Sequence, residues 1–234
     1  MDGSDESRAS DESRGSDESR ASQLASGGAS NEEIIAAALA AARPERGLRW
    51  LDVGCGRGDL LRRVRDEWAP AELRGIDSLD WLDEDLRADV GFEVRPGEEL
   101  SGTAAADRVL LVEVIEHLEA PWSALRAAAG ALAPGGWLVL STPNVATLRH
   151  RLELATKGTL TSFRPGYDPH LSPALPHVSA RILAEEGLLV EPPAYAGADV
   201  ISFSKGRIWP QAMRRRYPRL GSVSVILAAR RPPA

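Results

Sequence analysis

Leu51-Asp52-Val53-Gly54-Cys55-Gly56-Arg57-Gly58-Asp59-Leu60 decides the fold of this chain. A strand-like apolar run at residues 49–53 passes straight into three alternate glycines, and a helix-like run follows at 60–68. Glycine lets the backbone take dihedrals that side chains forbid, and it lets a ligand rest on bare main chain. A helix that starts there adds N–H groups with no partner inside the helix. The turn is therefore a candidate ligand cradle, with Gly54, Cys55, Gly56 and Gly58 as its backbone.

Spacing and charge narrow the ligand. A dinucleotide fingerprint reads G-x-G-x-x-G, with its third glycine easing helix packing beside a pyrophosphate. Here the third glycine comes one residue early, at Gly58, and Asp59 stands in its place. Asp59 and Asp52 are poor neighbours for a doubly anionic group, which counts against a nicotinamide-dependent oxidoreductase. The lysine that a P-loop needs after its last glycine is missing too. Asp52 instead suits a positively charged amino group, such as that of a methionine moiety. Asp77 ends the next strand-like run, residues 73–77. Ligands of open parallel sheets sit beyond the carboxyl ends of the strands, where a carboxylate can accept from both hydroxyls of a ribose.

Strand-like and helix-like stretches alternate outward from this turn. Ser30 and Glu33 have capping-box spacing ahead of an alanine-rich helix. Residues 92–94 and 108–112 read as further strands, 122–132 as an amphipathic helix stopped by Pro134-Gly135-Gly136, and 137–141 as a fifth strand. That rhythm predicts a mostly parallel α/β sheet with helices on both faces. Beyond it, 144–157 and 180–186 read as helices, 188–190 and 223–229 as strands. Pro165, Pro169, Pro173 and Pro176 suggest a rigid lid-like insertion around 145–178.

At the level of motifs, residues 51–58 resemble the first motif of class I S-adenosylmethionine-dependent methyltransferases. Arg108-Val-Leu-Leu-Val-Glu-Val-Ile-Glu-His-Leu118 with Ala120-Pro121, and Ser141-Thr142-Pro143-Asn144, are similar to the fourth and fifth strand ends of small-molecule members. The ubiquinone-biosynthesis O-methyltransferases and a methyltransferase-like protein of methionine biosynthesis are the nearest in pattern. The resemblance covers residues 48–144 well and the remainder loosely. It implies a Rossmann-like seven-stranded sheet with the last strand antiparallel, and S-adenosyl-L-methionine as cofactor. By the same resemblance Gly54, Gly56 and Gly58 pack against the methionine part, Asp77 holds the ribose, Val112 lines the site, and Glu98 falls near the adenine.

A sulfonium is already a good leaving group, so the protein's task is to hold an acceptor in line at roughly 3–3.5 Å and exclude water. A general base helps if the acceptor is a hydroxyl. His117, directly after the fourth strand, is the base candidate, with Glu116 or Glu113 to orient it; its competing role is to cap or pack under the next helix. Asp168, His170 and His177 match no familiar metal spacing, so no metal is expected. Tyr167, Phe163 and Trp209 could wall an apolar acceptor pocket. Thr142-Pro143-Asn144 stands where amino-methylating enzymes of nucleobases or glutamine carry an Asn-Pro-Pro-Tyr type motif. A small-molecule oxygen acceptor is therefore favoured, and a cofactor-binding regulatory or assembly protein without transfer activity is the alternative.

Bulk properties agree. The 234 residues are 43% hydrophobic, enough to build the core of one domain, residues 30–234. Residues 1–29 contain three hexads at 4–21, SDESRA, SDESRG and SDESRA, which lack the apolar side chains that offset ordering entropy and are expected to be disordered. Residues 1–22 carry a balance of −4 out of the chain's −6. The nearly neutral remainder argues against a nucleic-acid partner, and the Arg214-Arg215-Arg216 run reads as solvated surface. No apolar run reaches the roughly 18 residues of a membrane span, no secretory h-region opens the chain, and Cys55 is the sole cysteine. These point to a reducing, cytoplasmic setting.

Overall fold

Side chains along the central strands alternate between two apolar cores. From the first strand Leu51 and Val53 enter one core and Trp50 the other; Val109, Leu111, Leu138 and Leu140 join the first, Leu110 and Val139 the second. A period of two with both faces apolar is what a sheet covered on both sides requires. The computed structural model describes residues 28–100, 103–163, 170–201 and 206–234. The hexad tail, Tyr167 and Asp168 lie outside the described residues.

In chain order the helices are α1 (Gly28–Ala41), α2 (Asp59–Trp68), α3 (Pro121–Gly130), α4 (Leu148–Lys157), α5 (Pro176–Glu185), α6 (Gln211–Arg216) and α7 (Pro218–Gly221). The strands are β1 (Arg49–Val53), β2 (Glu72–Asp77), β3 (Gly91–Val94), β4 (Ala106–Val112), β5 (Leu132–Pro143), β6 (Leu189–Val190), β7 (Ala194–Ala198) and β8 (Ser222–Arg230). Leu125 and Ala128 of α3 and Leu183 of α5 fill the first core. Ile34, Ala38 and Leu39 of α1 and Leu60, Leu61 and Val64 of α2 fill the second. Helices thus cover both faces, as expected.

The sheet runs β3-β2-β1-β4-β5-β8-β6, with β7 also paired to β8. Only β8 is antiparallel to its neighbours. β6 and β7 lie in line along one edge of β8: Val190 faces Ala229, Glu191 N–H donates to Ala228 O at 2.8 Å, and Ala194 faces Ile226. Pro192 and Pro193 fall between them, and proline has no N–H for the ladder. The expected seven positions are all filled, and the seventh is a strand split by two prolines. Strand order reverses between β1 and β4, which opens a crevice at the carboxyl ends of the strands.

Three helix starts differ from expectation. α1 already begins at Gly28, so Ser30 lies inside the helix and is not its N-cap. Asn144 is not helical; its Nδ2 donates to Arg219 O and Ser222 O at 3.0 and 2.9 Å, tying the end of β5 to the start of β8. α4 begins only at Leu148, where the Thr147 hydroxyl accepts the His150 N–H at 3.1 Å, an N-cap. α5 starts earlier than expected because Pro176 is tolerated in a first turn, where its missing N–H has no intrahelical partner. β7, α6 and α7 were not expected.

Candidate active site

The glycine turn is fastened to the end of β2. Gly54 N–H and Cys55 N–H both donate to Ile76 O, at 2.7 and 3.1 Å. Gly56 N–H donates to Asp77 Oδ2 at 2.8 Å, and Leu79 N–H to Asp77 Oδ1 at 3.1 Å. Asp77 therefore shapes the cradle as well as facing the crevice. Each carboxylate oxygen keeps a second acceptor direction.

The three glycines divide the work. A Cβ on Gly54 would lie 2.4 Å from Val114 Cγ2, and one on Gly58 would lie 2.3 Å from Leu86 Cδ1, so these two glycines are set by packing. A Cβ on Gly56 would meet nothing within 4 Å. Gly56 also sits at φ 54°, so its main chain is bare toward open space.

Asp52 is 3% exposed at the end of β1. Burial, and then the nearby Asp77 carboxylate, push its pKa up to about 8. Such a group stays protonated at neutral pH until a cation joins it. Cys55 is buried and its thiol is pushed up by burial, then by Asp52 and Asp77, so it offers backbone rather than a nucleophile. Glu98 is half-buried, and its Oε1 accepts from Glu119 N–H and Ala120 N–H at 3.1 and 3.4 Å. The adjoining Gly97 packs on Val53 and Leu118, which brings this loop to the end of β1.

Across the crevice, β4 ends at half-buried Val112 and the chain turns at Glu113 with φ 56°. Ser141 Oγ and Ser224 Oγ each donate to Glu113 Oε1 at 2.7 Å. Glu116 is fully buried, and neither of its carboxyl oxygens has a hydrogen-bond partner among the described residues. Burial, and then the Glu113 carboxyl, push its pKa well up. Burial thus favours the protonated form of Glu116. Its folded pKa is raised, so its contribution to stability is present below the unfolded carboxyl range and is lost as pH rises. Glu116→Gln should melt near wild type at pH 4 and increasingly above it as the pH rises to 8.5 in scanning calorimetry. A variant that melts lower at both pH values would instead mark Glu116 as an ionised partner of His117.

His117 does not cap α3, whose N-cap is Ala120 with no side-chain bond. Its ring packs edge-on against His170, centroids 4.9 Å apart, and its Nε2 lies 3.9 Å from Glu116 Oε1. Glu116, His117 and His170 bring one donor atom each within 4.8 Å of one another, a set that could share a proton or hold a cation. Burial, then the neighbouring His117, hold His170 down to about 4, with its bond to Ser162 O acting the other way. It is neutral at pH 7.

No spacing in the sequence announced this pair. The chain returns to the site because Leu171 N–H and Ser172 N–H donate to Glu116 O at 2.8 and 3.2 Å. His170 Nδ1 bonds Ser162 O at 2.9 Å, and buried His150 bridges Asn144 O and Ser162 Oγ at 3.0 and 3.2 Å. His150 thus ties Ser162 to the end of β5, and His170 ties it beside His117. His177 is exposed in the first turn of α5 and takes no part. Phe163 lies 5.3 Å from the His170 ring, whereas Trp209 packs on Gly221.

An open α/β sheet with a glycine cradle after β1 and an acid ending β2 defines a nucleoside-cofactor enzyme class. The chain belongs to the methyltransferase domain family, whose model matches residues 28–185. This is the class I S-adenosylmethionine-dependent group that its motifs resemble. The ubiquinone biosynthesis O-methyltransferase of Bordetella bronchiseptica is 32% identical over 155 residues, 58% of this chain and 61% of that protein. The protein of the same name from Bordetella avium is 36% identical over 110 residues, 42% of this chain and 44% of that protein. The chain thus spans about half the length of these relatives. A structure of a Haloferax volcanii Trm112 methyltransferase activator complexed with a putative methyltransferase matches with TM-score 0.63 and 20% identity, over 88% of this chain and 92% of that one. A S-adenosylmethionine-dependent methyltransferase from Mesorhizobium loti matches with TM-score 0.57 and 19% identity, over 83% and 96%. These two show the shared fold. No helix among the described residues is long and apolar enough to cross a membrane.

Proposed function

We propose that the chain transfers a methyl group from S-adenosyl-L-methionine to a hydroxyl of a small molecule. The observation that carries this reading is the cradle itself: bare main chain at Gly56, flanked by a buried acid with no ion pair among the described residues and by a carboxylate with unused acceptor directions. The residues fit the cofactor. Asp52 would face its ammonium, Asp77 its ribose and Val112 the wall of its pocket, with Glu98 on the adenine side. When bound, the cofactor supplies an electrophilic methyl on a sulfonium.

The protein's own contribution is placement and proton removal. His117 and His170 neighbour one another and buried Glu116, and on this reading they face the acceptor. His117 would take the hydroxyl proton, and the segment tied down by His150 and His170 would exclude water. The O-methyltransferase names of the aligned relatives support an oxygen acceptor. A nearly neutral body and the absence of a long apolar helix among the described residues support a small-molecule acceptor in the cytoplasm.

The test is release of S-adenosylhomocysteine against a panel of phenols, catechols and other hydroxyl compounds. Turnover with a hydroxyl compound is expected. Cofactor binding with no turnover on any acceptor would favour the regulatory reading. Asp77→Ala should weaken cofactor binding by about 1–3 kcal/mol for each lost bond. An unchanged affinity in calorimetry would mean that the ribose lies elsewhere.

A further inference from the structure

Helix α6 buries none of its six residues, although short helices in proteins draw their stability from packing an apolar face. It is held at its flanks instead. Trp209, just before it, is buried against Gly221, and its N–H donates to Asp199 O at 3.0 Å. Within α6, Arg214 pairs with Glu33 of α1 at 2.7 Å. Residues 210–219 are thereby presented outward as one pinned element.

Two kinds of side chain meet there. Ile208, Met213 and Tyr217 are 59%, 45% and 46% exposed. Ile208 faces Val200, itself exposed, across an antiparallel bridge. Tyr217 N–H donates to Met213 O at 2.8 Å, and residues four apart share a helix face. Arg215, Arg216 and Arg219 are exposed and form no ion pair among the described residues; the Arg216 guanidinium lies 5.1 Å from the Tyr217 ring centre. No acid occurs in residues 200–234.

Exposed apolar groups interleaved with arginines match one kind of surface. An anionic bilayer takes apolar side chains into its acyl boundary, while arginine stems let the guanidinium groups reach its phosphates. Tyrosine is enriched at that depth. A polyanion without apolar depth, such as RNA, would engage the arginines and leave Ile208 and Met213 in water. The whole chain is net −6, so attraction to an anionic surface has to come from a local patch.

We propose that the 208–219 surface docks on an anionic lipid bilayer, with Ile208, Met213 and Tyr217 entering the interface and Arg215, Arg216 and Arg219 on the lipid phosphates. Asn144 at the end of β5 donates to Arg219 O at 3.0 Å, so this surface adjoins the rim of the site. The docking is independent of methyl transfer, and its test needs no turnover.

The experiment mixes the full chain with sucrose-loaded vesicles and reads the co-sedimented fraction. Binding is expected on vesicles containing phosphatidylglycerol, and little on pure phosphatidylcholine. It should fade near 1 M NaCl, where the screening length falls to about 3 Å. Each arginine near an anionic surface is worth about fivefold in affinity, so Arg215→Gln/Arg216→Gln/Arg219→Gln should lose about a hundredfold. Ile208→Ser/Met213→Ser should lose about tenfold at unchanged charge. A nitroxide at Met213→Cys, Cys55 being buried, reads depth directly. Once vesicles are added, the label should gain contact with oxygen and lose contact with an aqueous nickel complex. Should the arginine variant misfold, this depth reading on the arginine-intact chain decides. A label that stays in water, equal binding to both lipids, or full binding by either folded variant would overturn the proposal. Tighter binding to a short RNA duplex than to the vesicles at the same salt would overturn it too, and make the surface a nucleic-acid site.

Discussion

Asp52→Asn should raise the melting temperature of the cofactor-free protein at pH 8.5 by several degrees and weaken S-adenosylmethionine binding at least tenfold. The two effects have opposite signs because one buried acid causes both. The pKa of Asp52 is raised to about 8, with burial the larger cause and the Asp77 carboxylate the second. A raised folded pKa means that the folded protein holds a proton the unfolded chain releases above its ordinary carboxyl range near pH 4. Stability from this group is therefore full below pH 4 and falls until pH 8, by on the order of 5 kcal/mol in all. Asparagine cannot ionise and escapes that loss; in a domain of this size each kcal/mol is worth about 2–4 °C. Binding reverses the balance. An ammonium beside Asp52 stabilises the ionised carboxylate, so cofactor binding releases a proton and its affinity climbs with pH, by up to about tenfold per unit below pH 8. Asparagine removes both the attraction and the slope. Calorimetry in buffers of different ionisation enthalpy, from pH 6 to 9, reads the released proton directly. A flat profile with unchanged affinity in the variant would place the ammonium away from Asp52.

The first half of the chain was readable because local signals and tertiary placement agree there. Apolar runs of strand length end at glycines or at an acid, and β1, β2 and β4 lie within two residues of where their side chains put them. The second half speaks less clearly. β7 reads Ala-Tyr-Ala-Gly-Ala, without a β-branched residue, and is a strand only because β8 offers it a free edge. Pro192 and Pro193 conceal that β6 and β7 share one sheet position. Asn144 looked like the first residue of a helix, yet its amide links β5 to β8 through partners 75 and 78 residues away. The site divides in the same way. Asp52, Asp77 and the glycines meet at one turn and could be put forward as candidates from spacing. The bond that Asp77 accepts from Gly56 N–H depends on β1 and β2 lying side by side. The approach of His170 to His117 depends on a chain return that no local pattern encodes.

Gly54→Ala and Gly56→Ala should fail in different ways although the residues are two apart. At Gly54 a methyl would lie 2.4 and 2.8 Å from the two Val114 methyls, on a residue with φ 74°. Overpacking of this kind costs about 1–3 kcal/mol, and the left-handed dihedral adds about 1–2 kcal/mol for any side chain. The Gly54→Ala protein should thus lose several kcal/mol in urea denaturation, and Val114→Ala in the same chain should restore the packing share, since the colliding methyls are then gone. Gly56→Ala bears the dihedral cost alone, because its new methyl meets no protein atom within 4 Å. It should stay folded, about 1–2 kcal/mol less stable, and yet lose cofactor affinity by a hundredfold or more, the methyl standing where the proposed site has the cofactor touch main chain. Each glycine serves as the other's control. A folding defect explains weak binding in Gly54→Ala but not in Gly56→Ala, and only the former should respond to Val114→Ala. If Gly56→Ala bound cofactor as tightly as the wild type, the bare stretch of backbone at residue 56 would face solvent rather than ligand. The cradle would then have to be sought on the other side of Asp77.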